Sequence, residues 1–188
     1  GQIHQATNRN YLERVVSHDK AASAQVACKY DFDYWDGDRR YGFGGYYYDG
    51  RWSTVAQAMI KYYGLKRRAR VLDIGCGKGF LLYELAKLLP EAEIYGLDIS
   101  EYAIKNAKEE VRDSITVGSA ATELPWENNS FDFVYSVNTL HNLFNYELDR
   151  ALREIERVKR DAAHITIESY RNEREKTNLL YWQLTCRA

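Results

Sequence analysis

Beyond residue 52, short apolar runs alternate with stretches in which apolar residues recur at helical spacing. Five runs have the length and content of strands: Arg70 to Ile74, Glu93 to Leu97, Ile115 to Val117, Phe131 to Val137 and Ala163 to Ile167. The fourth is apolar almost throughout, as parallel strands buried on both faces are. Between them the pattern predicts helices. One runs from an N-cap at Ser53 to Tyr63, where Gly64 ends it, and another from Gly79 to Leu89, where Pro90 stops it. A third, capped by Ser100, reaches Glu110, and a fourth over Glu147 to Lys159 places Leu148, Ala151, Leu152, Ile155 and Val158 on one face. Residues 173–185 read as a last helix. Strands alternating with helices of this length form βαβ units with right-handed crossovers. The predicted class is α/β, a mostly parallel sheet with helices on both faces. Ligands in such sheets bind beyond the carboxyl ends of the strands, here the loops after residues 74, 98, 118, 137 and 167.

Residues 1–52 break this pattern. They are polar, aromatic and irregular, and are expected to form a lid or substrate-contacting segment ahead of a domain at 53–188. Many of the chain's 16 Tyr and 4 Trp crowd into residues 30–63 beside several glycines. Tyrosine suits a wall that must be apolar and also offer a hydroxyl. Composition adds exclusions. With 26 Lys+Arg against 27 Asp+Glu the formal charge is −1, which gives no reason to expect a nucleic-acid groove. No apolar run approaches a membrane span, and the N-terminus lacks the apolar region of a signal peptide. Cys28, Cys76 and Cys186 are odd in number and far apart, so neither a disulfide framework nor a metal site is expected, which fits a cytoplasmic location.

The strongest chemical signal is Val71-Leu72-Asp73-Ile74-Gly75-Cys76-Gly77-Lys78-Gly79-Phe80, a strand entering closely spaced glycines and then a helix. Glycines permit a sharp turn and let backbone approach a ligand. Asp98 follows Gly79 by nineteen residues, at the end of the second strand, where a carboxylate can accept from both hydroxyls of a ribose. The spacing is G-x-G-x-G and not the G-x-G-x-x-G of dinucleotide sites. Asp73 would repel a pyrophosphate but suits a cationic amino group and a sulfonium, which points to S-adenosylmethionine and away from a dehydrogenase.

VLDIGCGKGFLLYELA followed by IYGLDIS resembles the first two motifs of class I S-adenosylmethionine-dependent methyltransferases. VGSAATELPWENNSFDFVYSVNTLHNL and LREIERVKR continue the likeness over about residues 65–170. The resemblance implies a Rossmann-like fold and a small-molecule methyltransferase releasing S-adenosylhomocysteine. It implies that Asp73 and the loop Gly75, Cys76, Gly77 and Gly79 hold the methionine part, that Asp98 holds the ribose, and that Ile99 packs on the adenine. Ser119 and Ala120 would line the adenine edge, and Ser136 to Asn138 would close the pocket. Two features depart from the family: Ser119 stands where an acid is frequent, and the family's last two strands have no counterpart, so the chain is expected to be incomplete at its C-terminus. Residues 7–15, TNRNYLERV, with the aromatic segment also resemble methyltransferases of bacterial surface-polysaccharide clusters.

For the acceptor, Tyr34, Trp35, Tyr41, Tyr46 and Trp52 offer walls and hydroxyls, and Arg39, Arg40 and Arg51 offer forks for an anionic group. His141, after the fourth strand, is the first candidate base. Glu168, past the fifth, is the second and is expected to face solvent more. His164 reads as structural, Cys76 as a packing residue and not a nucleophile, and Lys66 to Arg70 as a solvated connection; nothing assigns His4 or His18. The expected activity is methyl transfer to an O or N atom of a small, anionic or sugar-like metabolite. The alternative is a methyltransferase-like binding partner that needs another chain or its missing C-terminus for turnover. Expected partners are a small-molecule acceptor, with neither nucleic acid nor membrane; a homo-oligomer is compatible with the sequence.

Overall fold

The computed structural model describes residues 11–187. His4 and the first ten residues of the expected lid lie outside them. Five parallel strands, β1 (Arg70–Ile74), β2 (Glu93–Asp98), β3 (Ile115–Val117), β4 (Phe131–Val137) and β5 (Lys159–Thr166), stand in the order β3-β2-β1-β4-β5. The order reverses between β1 and β4, the switch point at which an open α/β sheet forms its crevice. The class read from the pattern, α/β with a parallel sheet, is the one observed. Among the described residues the sheet ends at β5 on one side and β3 on the other.

Alternation along β1 divides its side chains between two cores. Val71 joins Ala56, Met59, Leu81, Leu85, Ile94 and Phe133 on one face, beneath α4 (Trp52–Tyr63), α5 (Phe80–Leu88) and α7 (Glu109–Arg112). Leu72 and Ile74 join Leu97, Val134, Ala151, Ile155 and Val158 on the other, beneath α8 (Asn145–Val158). The central strands are buried on both faces because both are covered, which is why they read as continuous apolar runs.

Several boundaries differ from the pattern. Helix α4 starts at Trp52, and its N-cap is Arg51 without a side-chain bond, so Ser53 lies inside the helix. Its end is as read: Gly64 takes the left-handed conformation at φ 61°. The single helix expected after Ser100 is two, α6 (Glu101–Lys105) and α7. Asn106 Nδ2 donates to the Tyr102 carbonyl at 2.8 Å and the Lys108 amide to the Lys78 carbonyl at 3.1 Å, so local and tertiary acceptors end the helical ladder there. Strand β5 begins four residues early, directly after α8, and α9 covers Glu173–Trp182. The N-terminal segment is more regular than expected. It contains α1 (Tyr11–Ser17), α2 (Lys20–Ala27) and α3 (Phe32–Trp35). Asp19 caps α2, accepting from Ala21 N at 2.8 Å and Ala22 N at 3.1 Å, and Asp31 accepts from Phe32 N at the start of α3.

One strut holds the connection from β3 to β4, which forms part of the cleft. Arg157 on α8 donates to the carbonyls of Trp126 (2.7 Å) and Leu124 (3.0 Å) and to both oxygens of Glu154, while Glu154 Oε2 accepts from Leu124 N at 2.8 Å. The hydrogen bonds from Arg157 hold the Glu154 carboxyl below its usual range. A depressed acid contributes stability above its unfolded value, about 4.3, and loses it as pH falls through the folded one. Arg157→Ala is therefore expected to lower unfolding stability at pH 7 by about 1–3 kcal/mol, with a gap that narrows below about pH 4. Urea denaturation at both pH values measures this.

Candidate active site

A cleft of about 610 Å³ opens at the carboxyl ends of β1, β2 and β4, between the glycine loop and the N-terminal segment. Its floor is the turn after β1. Gly75 N and Cys76 N both donate to the Leu97 carbonyl, at 2.7 and 3.2 Å, and Gly77 N donates to Asp98 Oδ2 at 2.7 Å. Asp98 Oδ1 accepts from Ser100 N at 2.8 Å. The second strand's carboxylate thus closes the first strand's loop. Gly75 (φ 80°) and Gly77 (φ 54°) sit in left-handed backbone, and a Cβ would run into the Thr139 side chain at the first and stand 2.7 Å from the Trp35 ring at the second. Glycine is required at both by conformation and by space. Burial raises the carboxyl pKa of Asp98, against the backbone hydrogen bonds it accepts.

The residues expected to hold a cofactor divide into two groups. Gly75, Cys76, Gly77, Asp98, Ile99, Ser119 and Ala120 all line the cleft. Ile99 is 57% exposed and offers the apolar face expected beside a flat base. Ser119 Oγ accepts from Ala121 N at 3.1 Å, so the hydroxyl is spent locally in part. Asp73, Gly79 and Ser136 do not line it. Asp73 is only 4% exposed, beneath the loop, so the direct contact expected of it is not open in this arrangement. Burial drives its pKa well above the carboxylate range, opposed by the Tyr135 hydroxyl, which stands near it outside strict hydrogen-bond geometry. Gly79 is the N-cap of α5. Ser136 is fully buried and donates to the Ile74 carbonyl at 2.8 Å, tying β4 to β1. Cys76 packs its sulfur toward Gly96, and burial raises its thiol pKa well above the usual value, so it is held protonated.

Of the expected acceptor residues, Tyr34, Trp35, Arg39, Tyr46, Arg51, Trp52 and Asn138 line the cleft, and Arg40 and Tyr41 do not. The Arg40 guanidinium stacks on Tyr41, 4.8 Å from the ring centroid, away from the wall. Trp35 is buried, its indole N–H shared between the Tyr30 carbonyl (3.0 Å) and Ser100 Oγ (2.9 Å). Arg51 is held by Asp49, with Nε at 2.6 Å, and Arg39 donates to the Gly42 carbonyl. Burial pushes the Tyr30 and Tyr46 hydroxyls up to about 12, and that of Tyr34 higher still, so all three present neutral hydroxyls.

The candidate bases do not reach the wall. His141 lies on a 3₁₀ turn (Leu140–Asn142), 9% exposed, and Glu168, expected to face solvent, has a side chain only 17% exposed. Their atoms Nε2 and Oε2 are 4.0 Å apart, and among the described residues His141 Nδ1 and Glu168 Oε2 have no hydrogen-bond partner. Burial lowers the imidazole pKa and raises the carboxyl to about 7. Both shifts favour neutral forms, so the contact is a carboxyl beside an imidazole and not an established ion pair. His164 is satisfied within the fold, by Tyr63 Oη and Thr166 Oγ1, each at 2.9 Å. Arg67 and Arg68 pair with Glu91 and Arg70 with Glu93, at the amino end of β1 and far from the cleft.

Several cleft residues are not named by the sequence pattern: Tyr30, Phe43 and Tyr47, which it gives only as part of the aromatic segment, and Thr139, Asn142 and Arg187. Thr139 Oγ1 donates toward the Gly75 carbonyl at 3.3 Å, which follows the left-handed turn at Asn138 (φ 55°). The most consequential omissions are Lys78 and Asp36, joined by an ion pair of 2.7 Å.

A parallel sheet with its switch point between β1 and β4, a glycine turn closed by the β2 acid, and a cleft above both define the class I, Rossmann-like methyltransferase fold. Residues 65–186 match the family described as "Methyltransferase domain", and the chain belongs to it. It is 34% identical over 92 residues to a malonyl-[acyl-carrier protein] O-methyltransferase of Legionella pneumophila, covering 47% of this chain and 32% of that protein. It is 35% identical over 104 residues to a demethylmenaquinone methyltransferase of Staphylococcus aureus, covering 53% of this chain and 42% of that protein. The chain thus spans less than half the length of these curated relatives. Among solved structures, an S-adenosyl-L-methionine-dependent methyltransferase candidate from Methanococcus maripaludis shares the fold at TM-score 0.54 and 19% identity, over 86% of this chain and 66% of that one. A Pyrococcus horikoshii protein does so at TM-score 0.52 and 27% identity, over 69% and 58%. Among the described residues no helix is long and apolar enough to cross a membrane.

An acid whose folded-state pKa is raised loses its stabilising contribution as pH rises through the folded value, here about 7. Glu168→Gln is expected to be more stable than the wild type at pH 8, the difference closing by about pH 4–5, near the unfolded value. Thermal unfolding across that range reads the sign; a variant destabilised most at pH 5–6 would instead mean a charged His141–Glu168 pair.

Proposed function

We propose that the cleft binds S-adenosylmethionine and transfers its methyl group to an O or N atom of a small metabolite. The observation that carries this is Asp98, a buried carboxyl on the cleft wall whose hydrogen bond from the Gly77 amide closes the glycine turn. Asp98 spends two of a carboxylate's roughly four acceptor positions on Gly77 and Ser100, which leaves capacity for ribose hydroxyls. The open backbone at Gly75 and Gly77 and the exposed face of Ile99 fit the remaining parts of the same molecule.

When bound, the cofactor supplies an electrophilic methyl on a sulfonium. Around it Asp98 would hold the ribose, Ile99, Ser119 and Ala120 the adenine, and the loop at Gly75 to Gly77 the methionine portion. Trp35 and Tyr46 close the cleft from the N-terminal side. Displacement at a sulfonium carbon gains chiefly from alignment and from exclusion of water, which this aromatic cover provides. An acceptor entering as a neutral amine needs no base; a hydroxyl acceptor needs one within hydrogen-bond reach, and His141 and Glu168 are behind the wall.

Three arginines on the wall, Arg39, Arg51 and Arg187, are balanced by Asp49, Asp98 and Glu147. That balance, with Arg51 already paired to Asp49, favours a polyhydroxylated, sugar-like acceptor lying on the Tyr34, Tyr46 and Trp52 rings over a strongly anionic one.

Calorimetric titration tests the cofactor. S-adenosylhomocysteine is expected to bind and NADH not to. Asp98→Asn should weaken the former by about 10–100-fold, equivalent to about 1.4–2.8 kcal/mol for lost charge-assisted hydrogen bonds. Unchanged affinity in a folded variant would remove Asp98 from the ribose site.

A further inference from the structure

Lys78 lies between Gly77 and Gly79 in the glycine turn, yet its side chain runs away from the cleft and is 4% exposed. A lysine is seldom that buried unless paired. All three of its ammonium protons have acceptors: Asp36 Oδ1 and Oδ2, both at 2.7 Å, and the Tyr46 carbonyl at 2.9 Å. Asp36 is equally engaged, accepting also from Tyr46 N at 3.1 Å and Tyr102 Oη at 2.8 Å. Burial alone would raise the Asp36 pKa, but hydrogen bonds from Lys78, Tyr46 and Tyr102 hold it below the usual value.

The two ends of this network are the two walls of the cleft. Gly77, adjacent to Lys78, is the loop residue that Asp98 accepts from. Trp35, adjacent to Asp36, packs its ring against Gly77, and Tyr46 stacks on Phe80 at 4.9 Å, the first residue of α5. Residues 35–46 therefore meet the catalytic domain at the turn expected to hold the cofactor, through one fully satisfied buried charge pair with an aromatic ring on either side.

We propose that Lys78 is a positioning residue for methyl transfer: its ion pair with Asp36 fastens the Trp35–Tyr46 aromatic wall to the glycine turn, so that the cofactor loop and the cover over it form one unit. The role rests on the cofactor reading above. A pair so placed is worth little as net stability, because desolvation offsets attraction, while removal of one partner strands the other in a buried site. Its effect is registry between two segments 42 residues apart in sequence.

The test measures S-adenosylhomocysteine affinity by calorimetry and amide exchange over residues 31–48, with exchange in β1 and β4 as the fold control. In the wild type the ligand should slow exchange over residues 31–48. Asp36→Asn, which keeps shape and removes charge, and Lys78→Met should each speed exchange in that segment and weaken the ligand by about tenfold or more, with β1 and β4 still the most protected segments. Lys78→Arg, which keeps the charge, should recover affinity to within about threefold, a rescue that a side chain serving only as filler would not show. Should Lys78→Met fail to fold, Asp36→Asn decides. A folded Asp36→Asn with wild-type affinity and wild-type exchange overturns the proposal. If the wild-type protein does not bind S-adenosylhomocysteine, the cofactor reading fails by itself, and exchange in the two variants still shows whether the pair fastens the segment.

Discussion

The arrangement depends on one carboxylate. Asp98 accepts from the Gly77 amide of the turn after β1 and from the Ser100 amide of the turn after β2, and so closes the two loops on each other. Because the acid is 7% exposed, an unpaired charge there would cost several kcal/mol, and both loops are held to the geometry that supplies its donors. Ser100 then passes the constraint on: its hydroxyl accepts from Ala103 N at 3.0 Å, capping α6, and from the Trp35 indole at 2.9 Å, drawing in the N-terminal cover. Loop, helix start and cover share one hydrogen-bonded chain, and the cleft is the space they leave.

The chemistry of the cleft follows from what reaches its surface. The wall presents backbone amides, neutral tyrosyl hydroxyls and a balanced set of charges. That is an environment for alignment. The turn carrying His141 is bound by a C-terminal stretch: the Arg187 amide donates to the His141 carbonyl at 2.9 Å, and Thr185 Oγ1 donates to Asn142 Oδ1 at 2.7 Å. Residue type and position after a strand end made His141 a reasonable base. The residues that bind its turn, Thr185 and Arg187, lie 44 and more positions downstream, a contact with no local signature.

The glycine turn, the acid after β2, the five strands and the position of the cleft were legible because each is written in local pattern. Short apolar runs mark strands buried on both faces, glycines mark left-handed backbone, and a parallel sheet admits one place for its crevice. Tyr34, Trp35 and Tyr46 were legible as aromatics in an otherwise irregular segment, whereas Ile99, Ser119 and Ala120 came from the resemblance to the family. The split of the helix after Ser100 was not, since it ends on a bond from Lys108 to the Lys78 carbonyl across the domain. Nor were the three short helices of the N-terminal segment, which have little amphipathic pattern of their own.

The sequence by itself thus determined the fold class, the family and the loop that forms the floor of the cleft. Tertiary structure alone decided which side of each loop residue faces the cleft. It sent Asp73, Ser136, His141 and Glu168 inward. It also turned Lys78, a charged residue inside the glycine turn, toward Asp36. For Lys78 and Ser136 the reason is physical: a buried ammonium or hydroxyl takes the orientation in which its protons find acceptors, and those acceptors, Asp36 and the Ile74 carbonyl, lie 42 and 62 residues away, where only the packed fold brings them within 3 Å.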